Sequence, residues 1–287
     1  MLRAAGPRMR PLLVTALATA LAALPGSAVA GEARIEDNSF LIEEAYNQEP
    51  GVLHHIQTFM RSWTTGQWLY TYTEEWPVGG EEHQLSAVLP VSRVDGASGS
   101  SSGLGDVALN YRYAYVQDEA LPVTAVVRAT ALLPTGERAR ALGEGRPGAQ
   151  VALPVSVKLG DRFVDHVNLW GTWFPDSWGG TTYGRSAGWG AGNGLVWLAR
   201  PTFNPMLEVY YTELEHRPEG GPTHSARTLL LNPAFRSAIN FTSGLQIVWG
   251  LGAPIGVGPS RGDRGLFLYL SFEHPWSSRA APDAPRG

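Results

Sequence analysis

Gly105-Asp106-Val107-Ala108-Leu109-Asn110-Tyr111-Arg112-Tyr113-Ala114-Tyr115-Val116 is the stretch that decides the fold. Successive side chains of a β-strand point to opposite faces, so Val107, Leu109, Tyr111, Tyr113 and Tyr115 share one side, opposite Asp106, Ala108, Asn110, Arg112 and Ala114. One face suits hydrocarbon and the other water. Gln150 to Leu159 repeats the design, setting Val151, Leu153, Val155, Val157 and Leu159 against Gln150, Ala152, Ser156 and Lys158. Met206 to Thr212 does so again, with Leu207, Val209 and Tyr211 opposite Glu208, Tyr210 and Thr212. A period of two is a strand period, not a helix period.

Carried outward, the same reading predicts strands near 52–63, 67–77, 83–93, 105–116, 122–134, 150–159, 162–174, 190–200, 206–215, 227–237, 245–255 and 265–274. The expectation is an all-β chain, a transmembrane antiparallel up-and-down β-barrel of about twelve strands, since bacterial barrels take even numbers. The connections agree. Asp95–Leu104, Glu137–Ala149, Pro175–Trp189, His216–Ala226 and Gly256–Arg264 are long and rich in Gly, Ser, Pro and charge. They alternate with the short links Gln117–Leu121, Gly160–Asp161, Pro201–Pro205 and Ala238–Gly244. A barrel inserted from one side of a membrane has a reason to keep that parity, whereas a soluble sandwich has none.

Proline opposes the pattern at five places, Pro90, Pro134, Pro154, Pro233 and Pro254, because it has no amide hydrogen for a ladder. Pro134 and Pro254 suit strand ends at a rim. Pro154 and Pro233 lie further inside and call for bulges.

Both ends of the chain speak for export. Arg3, Arg8 and Arg10 precede an apolar run from Leu12 to Leu24, and Ala28-Val29-Ala30 follows as a small-x-small cleavage site, the layout of a secretory signal peptide. The closing strand is similar to the C-terminal insertion signal of outer-membrane barrels. Asp263-Arg264-Gly265 leads into Leu266, Leu268, Leu270 and Phe272, with Phe267, Tyr269 and Ser271 opposite. The insertion machinery and the lipid bilayer are therefore expected partners. Unlike that signal, which ends at an aromatic residue, this chain runs on past Phe272 and Trp276 through Ser277–Gly287. The expected organisation is signal peptide 1–30, periplasmic lead-in or plug 31–51, barrel 52–276 and tail 277–287, in the bacterial outer membrane.

Composition narrows the function. The chain has no cysteine, which excludes disulfides, thiolate catalysis and Cys-based metal sites. A net charge of −4 leaves no basic footprint for nucleic acid. No cofactor is expected, and the histidines are too scattered for a metal site. Adjacent His54 and His55, or Asp165 and His166, face opposite sides of a strand, and His224-Ser225 has no orienting acid nearby, so an enzyme is not expected. Trp68, Tyr70, Trp76, Tyr111, Tyr115, Trp173, Trp197 and Trp249 suit interfacial girdles.

Four strings then point to one family. They are Asn38-Ser39-Phe40-Leu41-Ile42-Glu43-Glu44-Ala45-Tyr46-Asn47-Gln48-Glu49, His83-Gln84-Leu85-Ser86, Gly103-Leu104-Gly105-Asp106 and Leu133-Pro134-Thr135-Gly136. In order and spacing, over most of the mature chain, they resemble the outer-membrane transporter family named after the meta-pathway of phenol degradation. The resemblance implies a barrel that transports small, hydrophobic or aromatic molecules, and it carries over no catalytic residue.

The residues expected to line the lumen are Asn110, Arg112, Arg128, Lys158, Glu208 and Arg236, which set a field for a solute or pair and fill the interior. The segment from Ile35 to Pro50 holds Glu36, Asp37, Glu43, Glu44 and Glu49, and Phe40 to Asn47 can form a short amphipathic helical turn. Tucked into the periplasmic mouth, its acids would face Arg112, Arg128 or Arg236. The function expected is a channel or transporter for small molecules, against two alternatives, a barrel-borne lipid hydrolase and an adhesive barrel working through its outer loops.

Overall fold

A computed structural model describes residues 35, 40–96, 99–117, 120–218 and 221–275. The signal peptide, the tail, Glu36, Asp37 and Trp276 lie outside the described residues.

Twelve antiparallel strands form the wall: β1 (Val52–Ser62), β2 (Trp68–Pro77), β3 (His83–Gly96), β4 (Val107–Gln117), β5 (Val123–Leu133), β6 (Gly148–Leu159), β7 (Phe163–Phe174), β8 (Arg185–Trp197), β9 (Phe203–Arg217), β10 (His224–Asn240), β11 (Gln246–Gly252) and β12 (Gly265–Pro275). Each pairs with its sequence neighbours, and β1 pairs with β12 from Val52↔Pro275 to Ser62↔Gly265. That last ladder closes the ring and leaves no open edge. Every expected strand is present.

The faces follow the alternation. On β4, Leu109, Tyr111, Tyr113 and Tyr115 are exposed outward while Asn110, Arg112 and Ala114 are buried. On β12 the inward row is Phe267, Tyr269 and Ser271.

The boundaries shift where glycine or the outer loops mislead. β8 starts at Arg185, five residues before its expected start, inside what reads as the loop Pro175–Trp189. Its inward row is Ser186, Gly188, Gly190, Gly192, Gly194 and Val196, and glycine is depleted in strands, so the stretch does not announce itself. Asp95–Leu104 is likewise no loop. β3 runs to Gly96, and Gly99–Leu104 pairs back onto it as a hairpin arm beyond the main ring. β9 and β10 both extend into His216–Ala226, so that His216 pairs with His224.

The prolines are absorbed by gaps in the ladder more than by bulges. Pro154 pairs with Asn168 of β7, but on its other side the β5–β6 ladder skips from Ala125↔Val155 to Arg128↔Ala152 in unchanged register. The carbonyl of Pro233 accepts from Ala253 N at 3.0 Å, just past the end of the β10–β11 ladder, where its missing N–H would also point. Pro90 sits where β3 passes from one partner, β4, to the arm at Leu104, its carbonyl bonded by Gly105 N at 2.8 Å. The bulge in the ring falls elsewhere, between Ala114 and Val116.

Candidate functional site in the barrel lumen

The lumen is occupied by the chain itself. Residues 40–48 touch inward side chains of β3, β4, β6, β7 and β9, strands on opposite sides of a closed ring, which only an interior position allows. Entry is at the mouth shared by the two ends of the ring, where Ile35 N donates to Pro201 O at 3.1 Å and Arg236 Nη2 donates to Ile35 O at 3.2 Å.

Glu208 is the first anchor. Its Oε1 accepts the amides of Phe40, Leu41 and Ile42 at 3.1, 2.9 and 3.1 Å, while Oε2 accepts Asn232 Nδ2 at 2.7 Å. Three converging N–H groups neutralise much of a carboxylate that is otherwise fully buried. Phe40 stacks on Phe267 and Tyr269, with centroids 5.1 and 5.2 Å away. Missing side chains make the space: a Cβ on Gly250 would run into the Phe40 ring, and one on Gly192 into Ile42.

From Glu43 onward the wall treats the segment as a strand. Asn168 accepts Glu43 N at 2.7 Å through Oδ1 and donates Nδ2 to Glu43 O at 2.8 Å, the two bonds that a neighbouring strand would make. Ala45 N donates to Ser156 Oγ at 2.8 Å, and on the other edge Arg112 Nη2 reaches the carbonyls of Glu44 and Tyr46 at 2.6 and 3.2 Å. Glu43 pairs with Arg128 Nη1 at 2.8 Å. Gln48 N then donates to Gln84 Oε1 at 2.7 Å, and its side chain meets buried His54, itself 3.4 Å from Glu75 and 3.3 Å from Glu273. The expected helical turn is absent, because these amides are bonded by the wall instead of by one another.

Of the residues expected in the lumen, Arg112, Arg128, Glu208 and Arg236 meet at this segment. Asn110 is buried in the wall, linked to Ser86 and Thr130 at 3.0 and 2.7 Å, clear of the segment. Lys158 is exposed next to the end of β6, apart from the cluster. Arg236 donates Nη2 to the carbonyl of Ile35 at 3.2 Å and Nε to Asn204 Oδ1 at 3.3 Å. Sequence reasoning passed over Gln84, Asn168 and Asn232; each is the polar inward member of an alternating row, a signal that applies to every strand.

The outer mouth is built from two more of the strings. Asp106 accepts Gly136 N at 2.9 Å and Glu144 N at 2.8 Å, and Thr135 Oγ1 donates to Gly105 O at 2.7 Å. Arg146, 1% exposed, donates to the carbonyls of Pro175 and Gly184 and to Ser186 Oγ, and its guanidinium lies over Phe174 and Tyr183. A cavity of about 530 Å³ opens among these loops, lined by Asp106, Arg138, Leu142, Glu144, Ser186 and His216.

Among the described residues two serine–histidine contacts occur, Ser156 Oγ to His166 Nδ1 at 2.7 Å and Ser186 Oγ to His216 Nδ1 at 2.8 Å. Neither is oriented by an acid among the described residues. His166 Nε2 is buried without a partner, while neighbouring Asp165 faces outward and bonds Asn193 at 2.7 Å.

No family model matches the chain, and no curated protein matches it. Among solved structures it is similar to the COG4313 outer membrane channel from Pseudomonas putida F1, at 18% identity and a TM-score of 0.60 over 80% of this chain and 97% of that one. It is also similar to the NanC porin, at 9% identity and a TM-score of 0.49 over 76% of this chain and 98% of that one. The fold is that of a bacterial outer-membrane channel, a closed antiparallel barrel of twelve strands.

Proposed function

We propose that the protein is an outer-membrane channel for small molecules, exported by residues 1–30, with 52–276 as its wall and residues 31–51 as a plug that blocks the lumen until it is displaced. The observation that carries the reading is the convergence of the Phe40, Leu41 and Ile42 amides on Glu208, a specific seat inside the passage. The resemblance to the meta-pathway transporter family supplies the solute class, small hydrophobic or aromatic molecules. Trp170 stacked on Tyr210 at 5.3 Å, with Phe267 and Tyr269, gives the lumen an aromatic side suited to such solutes. The test is single-channel conductance in a planar bilayer for the mature chain and for a variant lacking residues 35–50. Conductance rises on deletion if the segment blocks the passage, and equal conductance counts against a plug.

A further inference from the structure

The outer surface is not uniform, and one departure lies where the ring closes. On β6 the outward row Ala149, Val151, Leu153, Val155, Val157 and Leu159 is apolar throughout. At about 3.3 Å per residue and a tilt of about 40°, that row spans about 25 Å of membrane normal, a full apolar band. On β1 the inward residues are His54, Ile56 and Met60, so His55, Gln57, Phe59 and Arg61 face out. From Arg61 to His55 the same arithmetic gives only about 15 Å, and Gln57 interrupts even that.

His55 heads a polar cluster on the outer wall of β12, β1 and β2. Its Nδ1 lies 2.5 Å from Glu74 Oε2, which also accepts Tyr72 OH at 2.6 Å, and its Nε2 lies 2.9 Å from His274 Nε2. The two imidazoles stack at 5.0 Å. Both partners of the His55–Glu74 pair are about a quarter exposed, at 24% and 26%. The bonds to Glu74 fall on Oε2 alone, which leaves Oε1 of this quarter-exposed carboxylate to accept from outside the cluster.

We infer that this wall carries a shortened apolar band and seats a zwitterionic lipid headgroup on the His55–Glu74–His274 cluster, so that the bilayer thins beside the β1–β12 seam. An ionised carboxylate facing hydrocarbon is strongly disfavoured, and local thinning brings water and headgroups up to it. Glu74, through Oε1, is complementary to the primary ammonium of such a headgroup. The inference rests on the membrane-spanning reading above.

The chain has no cysteine, so single-cysteine variants each carry one label. Gln57→Cys reports on the seam and Val155→Cys on β6 at a comparable distance from its strand end. With nitroxide labels in phosphatidylethanolamine vesicles, collision with oxygen and with a water-soluble nickel chelate is measured at both sites. An oxygen-rich, nickel-poor Val155→Cys label establishes the membrane reading by itself. The expected result is a nickel accessibility several-fold higher at Gln57→Cys, falling when His55, Glu74 and His274 are all replaced by leucine. It should also fall in phosphatidylcholine, whose trimethylated amine cannot donate to Glu74. Equal accessibility at the two sites overturns the thinning, equal values in the two lipids overturn the headgroup seat, and exclusion of both reagents at Gln57→Cys shows a second copy covering the wall instead.

Discussion

Glu208→Ala removes the carboxylate on which the Phe40, Leu41 and Ile42 amides and Asn232 Nδ2 converge. Hydrogen bonds to a charged acceptor contribute about 1.5 to 3 kcal/mol each, so four of them sum to about 6 kcal/mol at the low end. Part of this returns, because the variant no longer buries a carboxylate and water can enter the vacated space; a net loss of about 4 kcal/mol, about a thousandfold in the ratio of seated to released segment, is the working figure. Release is local, since Ala45–Ser156, Gln48–Gln84 and Glu43–Arg128 are untouched. Glu208→Gln is the control. Its amide oxygen still accepts, and its NH2 can donate to Asn232 Oδ1, which is buried without a partner, once Asn232 turns over. It forfeits mainly the charge, about half the strength of each bond. The assay is single-channel recording, expected to show open probability rising from wild type through Glu208→Gln to Glu208→Ala. If Glu208→Ala gates like the wild type while deletion of 35–50 opens the channel, Glu208 is not the anchor and the reasoning fails.

Gly192→Ala places a methyl group against Ile42 and is expected to raise open probability; adding Ile42→Ala should restore the wild-type value, read in the same recordings. Arg146→Ala leaves the carbonyls of Pro175 and Gly184 without their donor and costs about 3 kcal/mol of outer-loop order. Proteolysis from outside should then cut within 134–147 or 175–184, with the segment's protection unchanged. Asn168→Leu keeps the side chain's size but strips both bonds from the Glu43 backbone, so hydrogen exchange at the Glu43 amide should quicken by at least about tenfold while barrel melting stays within a few degrees.

The wall was legible because alternation is local: whether Arg112 faces the lumen follows from its own neighbours on β4, and parity of the connections orients the whole ring. The site was legible only in part, because its contacts join residues far apart in sequence. Glu208 lies 168 positions from Phe40, and nothing near either announces the other. The four family-like strings show the same limit. In space they form two couples: Asn47 Nδ2 donates to the carbonyls of Glu81 and Glu82 and Gln48 N to Gln84, while Thr135 and Gly136 bond Gly105 and Asp106. One couple builds the inner end of the passage and the other the outer mouth. A strand reading assigns them to a lead-in, a strand and two loops, with no term linking them. β8 was found, but its start was set five residues late, for another reason. Its glycines leave room for Ile42, so the composition that disguised the strand is what its contact with the segment requires.

The kind of bond holding the segment bears on how it could leave. The wall is closed by backbone ladders that no solute can replace without opening the ring. The segment has no ladder. Side chains of Glu208, Asn168, Ser156, Arg112 and Gln84 supply the partners that a strand would have supplied, each anchored in a wall that stands without it. Exchanging such a bond for one to water changes the free energy by only about 0.5 to 1.5 kcal/mol when neutral, and the apolar contribution comes from Ile35, Phe40, Leu41, Ile42 and Ala45. The segment can therefore detach from its Glu43 end stepwise, while the Phe40–Glu208 seat sets most of the barrier. A passage gated as proposed keeps its frame and exchanges its contents, which is why the substitutions that test it lie on inward side chains.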